Sequence, residues 1–171
     1  MSVITNSDFD QQSLQNIQYG CYQLVLRLEQ VISLEVGALC KLNLSKGYYL
    51  YTGRHRKALW RRIERHLQKD KRVYWHIDYF TTHPAFQLKH LIIYPETDAE
   101  CKINQEFQHF FNARLLYPGL GSGDCKNKCG AHMQFMQNLP GKAINQWLLT
   151  QSGFKPLIFS ANQLKLQEIN A

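Results

Sequence analysis

Residues 47–53 read Gly47-Tyr48-Tyr49-Leu50-Tyr51-Thr52-Gly53. Ser45-Lys46-Gly47 has turn composition, and the aromatic run 48–52 favours a pleated strand that Gly53 closes. Upstream, Gly20 opens a second strand-like run, GCYQLVLRL. Two shorter runs, 31–36 and 39–44, lie between them, and four such segments in sequence predict a β-meander. Downstream, Leu59, Ile63 and Leu67 recur every fourth residue and predict a helix over 59–69. The run 73–79, VYWHIDY, is aromatic and β-branched and predicts an extended segment. A strand over 88–94 ends at Pro95. A helix over 98–111 follows, with Ile103, Phe107 and Phe110 inward. Residues 118–123 form a Gly-rich loop, 133–136 a short strand and 141–151 a helix.

This order predicts an α+β domain, a small and mainly antiparallel sheet flanked by helices. It places a flexible tail at 1–17, the domain at 18–140 and a helical extension at 141–171. No apolar run approaches the roughly 20 residues needed to span a bilayer. The N-terminus lacks the basic and apolar regions of a secretory signal. A cytoplasmic protein without a membrane partner is therefore expected. Five cysteines without a leader argue against a disulfide scaffold, and Cys21 and Cys40 read as core residues.

The 171 residues carry a formal net charge of +7. Between Arg54 and Arg72 stand nine basic residues and two acids, a net of seven that equals the whole chain's. Charge this local predicts a polyanionic partner. Nucleic acid is the expected partner, DNA ahead of RNA, with Arg54, Arg56, Lys57, Arg61, Arg65 and Lys69 as backbone contacts. The sequence points to no protein partner.

Helical geometry sorts the arginines. With Ile63 at the centre of the buried face, Arg62 lies about 100° to one side and His66 about 60° to the same side. Arg61 and Arg65 fall near the back, toward solvent. Thr97-Asp98-Ala99-Glu100 fits a capping box, which by itself would account for Glu100. As an alternative, a single carboxylate with phosphate oxygens and waters suits Mg²⁺. His76 and Asp78 alternate along the expected strand and would share a face. Cys125, Cys129 and His132, with Asp124 beside them, supply three thiol or imidazole ligands within eight residues. A closed zinc site wants four. The fourth would have to come from afar, from Cys101 or His76, so zinc is an alternative that the sequence does not favour.

Gly20-Cys21-Tyr22, Tyr51-Thr52-Gly53, Arg62-x-x-Arg65-His66 and Glu100, in that order, resemble the GIY-YIG nuclease superfamily. Trp75-His76-Ile77-Asp78-Tyr79, Glu100-Cys101 and Gly119-Leu120-Gly121-Ser122-Gly123-Asp124-Cys125 narrow the resemblance. They resemble one small branch, found alone or fused to endonuclease III-type glycosylases. The resemblance implies a metal-dependent endonuclease using Mg²⁺ or Mn²⁺. It implies that Tyr22 and Tyr51 act in water activation and proton transfer, Arg62 and His66 in phosphate stabilisation, and Glu100 in holding the metal. His76, Asp78, Asp124, Cys125, Cys129 and His132 are supporting candidates. Three departures stand out. Cys21 replaces the usual aliphatic residue, Arg54-His55-Arg56 replaces small residues, and the Cys-x₃-Cys spacing is looser than the branch's Cys-x-Cys. The alternative function is a non-catalytic nucleic-acid-binding module on the same fold, and a zinc-organised interaction domain is a further rival.

Overall fold

The computed structural model describes residues 14–139 and 141–164. The strands are β1 (Gly20–Leu28), β2 (Ile32–Val36), β3 (Cys40–Leu44), β4 (Gly47–His55), β5 (Phe86–Pro95), β6 (Arg114–Leu115), β7 (Met133–Met136) and β8 (Leu157–Ser160). The helices are α1 (Leu59–Leu67), α2 (His76–Thr82), α3 (Glu100–Phe111) and α4 (Gly141–Thr150). Six strands form an antiparallel sheet in the order β6-β7-β4-β1-β5-β8. The expected α+β class is therefore the observed one. None of the described helices is long and apolar enough to cross a membrane.

Central β1 is covered on both faces, which is why its sequence runs apolar instead of alternating. Tyr22, Leu24, Leu26 and Leu28 pack in one core with Leu59, Ile63 and Leu67 of α1 and Ile77 and Phe80 of α2. Cys21 and Val25 pack on the other side with Ile103 and Phe107 of α3 and Trp147 of α4. Buried Gln23 accepts a hydrogen bond from the Tyr94 hydroxyl at 2.7 Å and donates to Thr52 at 3.3 Å. The Trp147 indole donates to the same Tyr94 hydroxyl at 3.0 Å, so these buried polar groups are partnered.

Several expectations change. The first four strands are not a meander: β1 pairs with β4, while β2 and β3 pair with each other as a separate two-stranded sheet. These two strands alternate buried and exposed residues, so each has one apolar face to bury. That face, with Leu34, Val36, Leu42 and Leu44, lies on the α1–α2 core. Residues 76–82 are helical instead of extended. Buried Asp78 accepts from the backbone N–H of Tyr74 (3.0 Å) and Trp75 (2.9 Å), and this local bonding favours a helix start over a strand. Phe110 is exposed at the end of α3 while Phe111 packs inward. Cys40 is only half-buried, unlike Cys21. The C-terminal segment is not purely helical, because β8 joins the main sheet beside β5. Of the expected tail, residues 1–13 lie outside the described residues, and Leu14 is buried in the α1–α2 core.

Candidate active site

Tyr22 on β1 and Tyr51 on β4 share a face because their strands pair in register. Tyr22 lies opposite Gly53, and Leu24 lies opposite Tyr51. The two rings stand 6.1 Å apart between centroids. A Cβ on Gly53 would sit 2.6 Å from the Tyr22 hydroxyl oxygen, so the last glycine of the β4 motif provides the space that the β1 tyrosine fills.

Helix α1 sends two side chains, one turn apart, to that hydroxyl. Arg62 Nε donates to the Tyr22 oxygen at 3.2 Å, and His66 Nε2 lies 2.8 Å from it. His66 is fully buried, and burial pushes its pKa down to about 4 although Asp78 partly offsets this. The ring is thus neutral at pH 7. Its Nδ1 lies 3.5 Å from Asp78 Oδ1, a polar contact longer than a good hydrogen bond. With the proton on Nδ1, Nε2 accepts from the Tyr22 hydroxyl. Burial and the neighbouring Tyr51 push the Tyr22 pKa well above its ordinary 10, and Arg62 opposes them. Burial also raises that of Tyr51.

Asp78 anchors the cluster from behind. Both its oxygens lie 3.0 Å from Arg65 Nη1, and Lys71 Nζ is 3.4 Å away. Burial favours its neutral form. The nearby His66 ring, hydrogen bonds from the backbone N–H of Trp75 and Tyr74, and Arg65 outweigh that and hold the carboxyl far below its ordinary range. Arg65 is therefore only partly exposed, where the helical wheel predicts a solvent-facing side chain, because α2 brings Asp78 onto that flank of α1. The guanidinium groups of Arg62 and Arg65 both lie over the Trp75 ring, 4.2 and 4.3 Å from its centroid. His76 and Asp78 do not share a face, since the segment is a helix. His76 Nδ1 instead accepts from the Gly121 N–H at 3.1 Å. This holds the glycine loop against Tyr51: a Cβ on Gly121 would meet the Tyr51 ring at 2.9 Å.

Glu100 is the first residue of α3, and the expected capping box does not form. The Thr97 hydroxyl accepts from the Ala99 N–H instead, at 3.1 Å. Glu100 is thereby free to hold Arg54 Nε at 3.0 Å through Oε2 and to approach His132 Nδ1 at 3.4 Å through Oε1. Its charge adds to burial in raising the Tyr51 pKa. The next residue, Cys101, comes together with Cys125, Cys129 and His132, while Asp124 lies exposed outside this group. Burial opposes ionisation of Cys125, but a backbone hydrogen bond from Cys129 and the adjoining Cys101 thiol lower its pKa to about 6.

The basic stretch divides in two. Arg56, Lys57 and Arg61 are exposed, with only a loose Arg56–Asp98 contact at 3.6 Å. Lys69 donates to the Phe86 carbonyl at 3.0 Å, and nearly buried Lys71 donates to the carbonyls of Arg65 and His66. Sequence reasoning did not single out Trp75 or Lys71 as parts of the site, nor Arg54 as the partner of Glu100. No local pattern signals these contacts, which join residues on different elements. No curated protein and no solved structure matches the chain. Residues 21–150 match the family described as the domain of unknown function DUF123, and over that span this protein belongs to it.

Proposed function

We propose that the protein is a metal-dependent endonuclease of the GIY-YIG type, acting on DNA ahead of RNA. The observation that carries this reading is the convergence of Arg62 and His66 on the Tyr22 hydroxyl beside Tyr51, with Asp78 behind His66. In this reading the Tyr22 oxygen takes a proton from the attacking water while its own proton passes to His66 Nε2. Asp78 stabilises the imidazolium that forms, so Tyr22 need not be ionised beforehand. His66 is fully buried, as Tyr22 is, and serves as a positioning and relay residue on the tyrosine hydroxyl. Arg62, half-buried, meets the phosphate with its guanidinium fork. Substrate approaching Tyr51 would meet the Gly119–Gly123 loop, whose Gly121 packs on that ring.

In this reading a magnesium or manganese ion would bind through one protein ligand, Glu100, with phosphate oxygens and waters completing its shell. Glu100 Oε2 faces Arg54 and Oε1 faces His132, so the partly exposed Arg54 must yield Oε2 to the ion. The ion would supply charge stabilisation on the phosphate. The released Arg54 guanidinium would then turn to the nucleic-acid backbone.

The decisive experiment is a cleavage screen over single-stranded, duplex, flap and junction substrates with Mg²⁺ or Mn²⁺. Wild-type protein should cut at least one substrate. Glu100→Gln should bind it equally and not cut. Absence of cleavage on every substrate, or full activity of Glu100→Gln, would leave the second reading, a binding module. The exposed Arg56, Lys57 and Arg61 support that module equally well.

Either reading predicts salt-dependent binding through those three residues. On duplex, log K should fall with log salt by roughly 0.9 per phosphate neutralised. Replacing Arg56, Lys57 and Arg61 together should flatten the slope by about 2–3 units. An unchanged slope would place the binding surface elsewhere.

A further inference from the structure

We propose that Cys101, Cys125, Cys129 and His132 form a closed structural zinc site that also fixes the rotamer of Glu100. The four ligand atoms lie within 4.8 Å of one another. Cys101 Sγ is 3.5 Å from Cys125 Sγ and 3.9 Å from His132 Nε2. A tetrahedral ion with ordinary zinc bond lengths separates sulfurs by about 3.8 Å and sulfur from nitrogen by about 3.6 Å. These two contacts bracket those separations, and all four atoms lie close enough to converge on one ion by small side-chain rotations. Three thiolates and an imidazole suit zinc over the hard cations that prefer oxygen.

The surroundings agree. Three ligands come from the stretch 125–132, which has neither helix nor strand, and the fourth from the first turn of α3. Residues 116–132 are a long connection for a compact domain, and such a loop needs a clip to hold one shape. Left-handed conformations at Lys128 (φ 52°) and Gly130 (φ 80°) bend the chain so that Cys125, Cys129 and His132 face inward together. The Gln105 side-chain amide donates to Cys129 Sγ at 3.7 Å. His132 is 1% exposed, its Nε2 faces the sulfurs, and its Nδ1 faces Glu100 Oε1 at 3.4 Å. A carboxylate on the far nitrogen of a metal-bound histidine is the usual second layer of a zinc site. The His132 carbonyl accepts from the Thr52 N–H at 3.0 Å, so the clip joins α3 and the loop to β4, one residue from Tyr51.

The site is proposed independently of the nuclease reading, since its readout needs no substrate. Full-length protein purified under reducing conditions without added metal should contain stoichiometric zinc. Co²⁺ replacing that zinc should show thiolate charge transfer and the visible bands of a tetrahedral ion. Cys129→Ser should lose the charge-transfer intensity in proportion to the lost thiolate. Glu100→Gln should keep the tetrahedral spectrum while zinc affinity falls about 10–100-fold. Metal-free protein whose melting temperature is unmoved by Zn²⁺ would overturn the proposal. So would metal-free protein two hydrogens lighter than the sequence mass, with a Cys101–Cys125 disulfide in place of the ion.

Discussion

Tyr22→Phe should reduce cleavage by about 10²–10⁴, the size of a lost general acid–base group. The hydroxyl is the meeting point of the site, accepting from Arg62 at 3.2 Å and lying 2.8 Å from His66 Nε2. Phenylalanine keeps the ring that fills the space at Gly53 but leaves a buried histidine nitrogen without its donor. A stability loss of about 1–3 kcal/mol should accompany the change, in keeping with one unsatisfied buried acceptor. Arg62→Ala should cost on the order of 10²–10³ in rate, as the loss of a preorganised charge partner does. Tyr51→Phe tests the other ring and should also lose rate, with stability near normal. The informative quantity is the division between kcat and KM at matched folding. Loss confined to kcat assigns the hydroxyl to the chemical step, whereas loss confined to KM makes the cluster a binding surface. Tyr22→Phe that folds and cuts at the wild-type rate removes the relay altogether.

Asp78→Ala should destabilise the fold by about 3–5 kcal/mol, because it strands the charges that one buried carboxylate now holds. Lys71, whose side chain is 5% exposed and whose pKa burial already lowers to about 8, would lose the carboxylate that helps to hold its charge. The N–H groups of Tyr74 and Trp75 would lose their acceptor at the start of α2. A domain of this kind has about 5–15 kcal/mol in total. The melting temperature should therefore drop by roughly 10–15 °C, while Asp78→Asn, which retains one acceptor oxygen, should drop less. A melting temperature unchanged by Asp78→Ala would show that these contacts do not hold the α1–α2 pair.

The same network sets an acid limit. His66 is pushed from its ordinary 6.5 to about 4 by burial, so between those values the unfolded chain takes up a proton that the folded chain refuses. Stability is full above pH 6.5 and falls as pH drops toward 4, by about 3 kcal/mol for a shift of this size. The depressed carboxyl of Asp78 has its own limb, present above its ordinary 3.8 and lost as pH falls below it. His66→Leu should flatten the upper limb and leave the lower one. Denaturation midpoints measured across this range would separate the two.

The sequence by itself determined the elements whose residues answer to local periodicity. The pattern of Leu59, Ile63 and Leu67 set the phase of α1 and placed Arg62 and His66 on the flank where both meet Tyr22. Turn chemistry and aromatic content marked β1 and β4, and the count of charges located the basic stretch. Only the tertiary structure decided which strands pair, because alternation records the buried face of a strand and not its neighbour. The β2–β3 hairpin could therefore stand between β1 and β4 in sequence without entering their sheet. Segment 76–82 went against its β-branched composition because one buried aspartate gathered backbone donors, two cations and a histidine that lie apart along the chain. The same folding tied Arg65 to Asp78, gave Glu100 to Arg54 and His132 instead of to a cap, and carried Cys101 to the loop thiols. Each of these contacts joins residues remote in sequence, where distance and burial decide the partner and residue type alone does not.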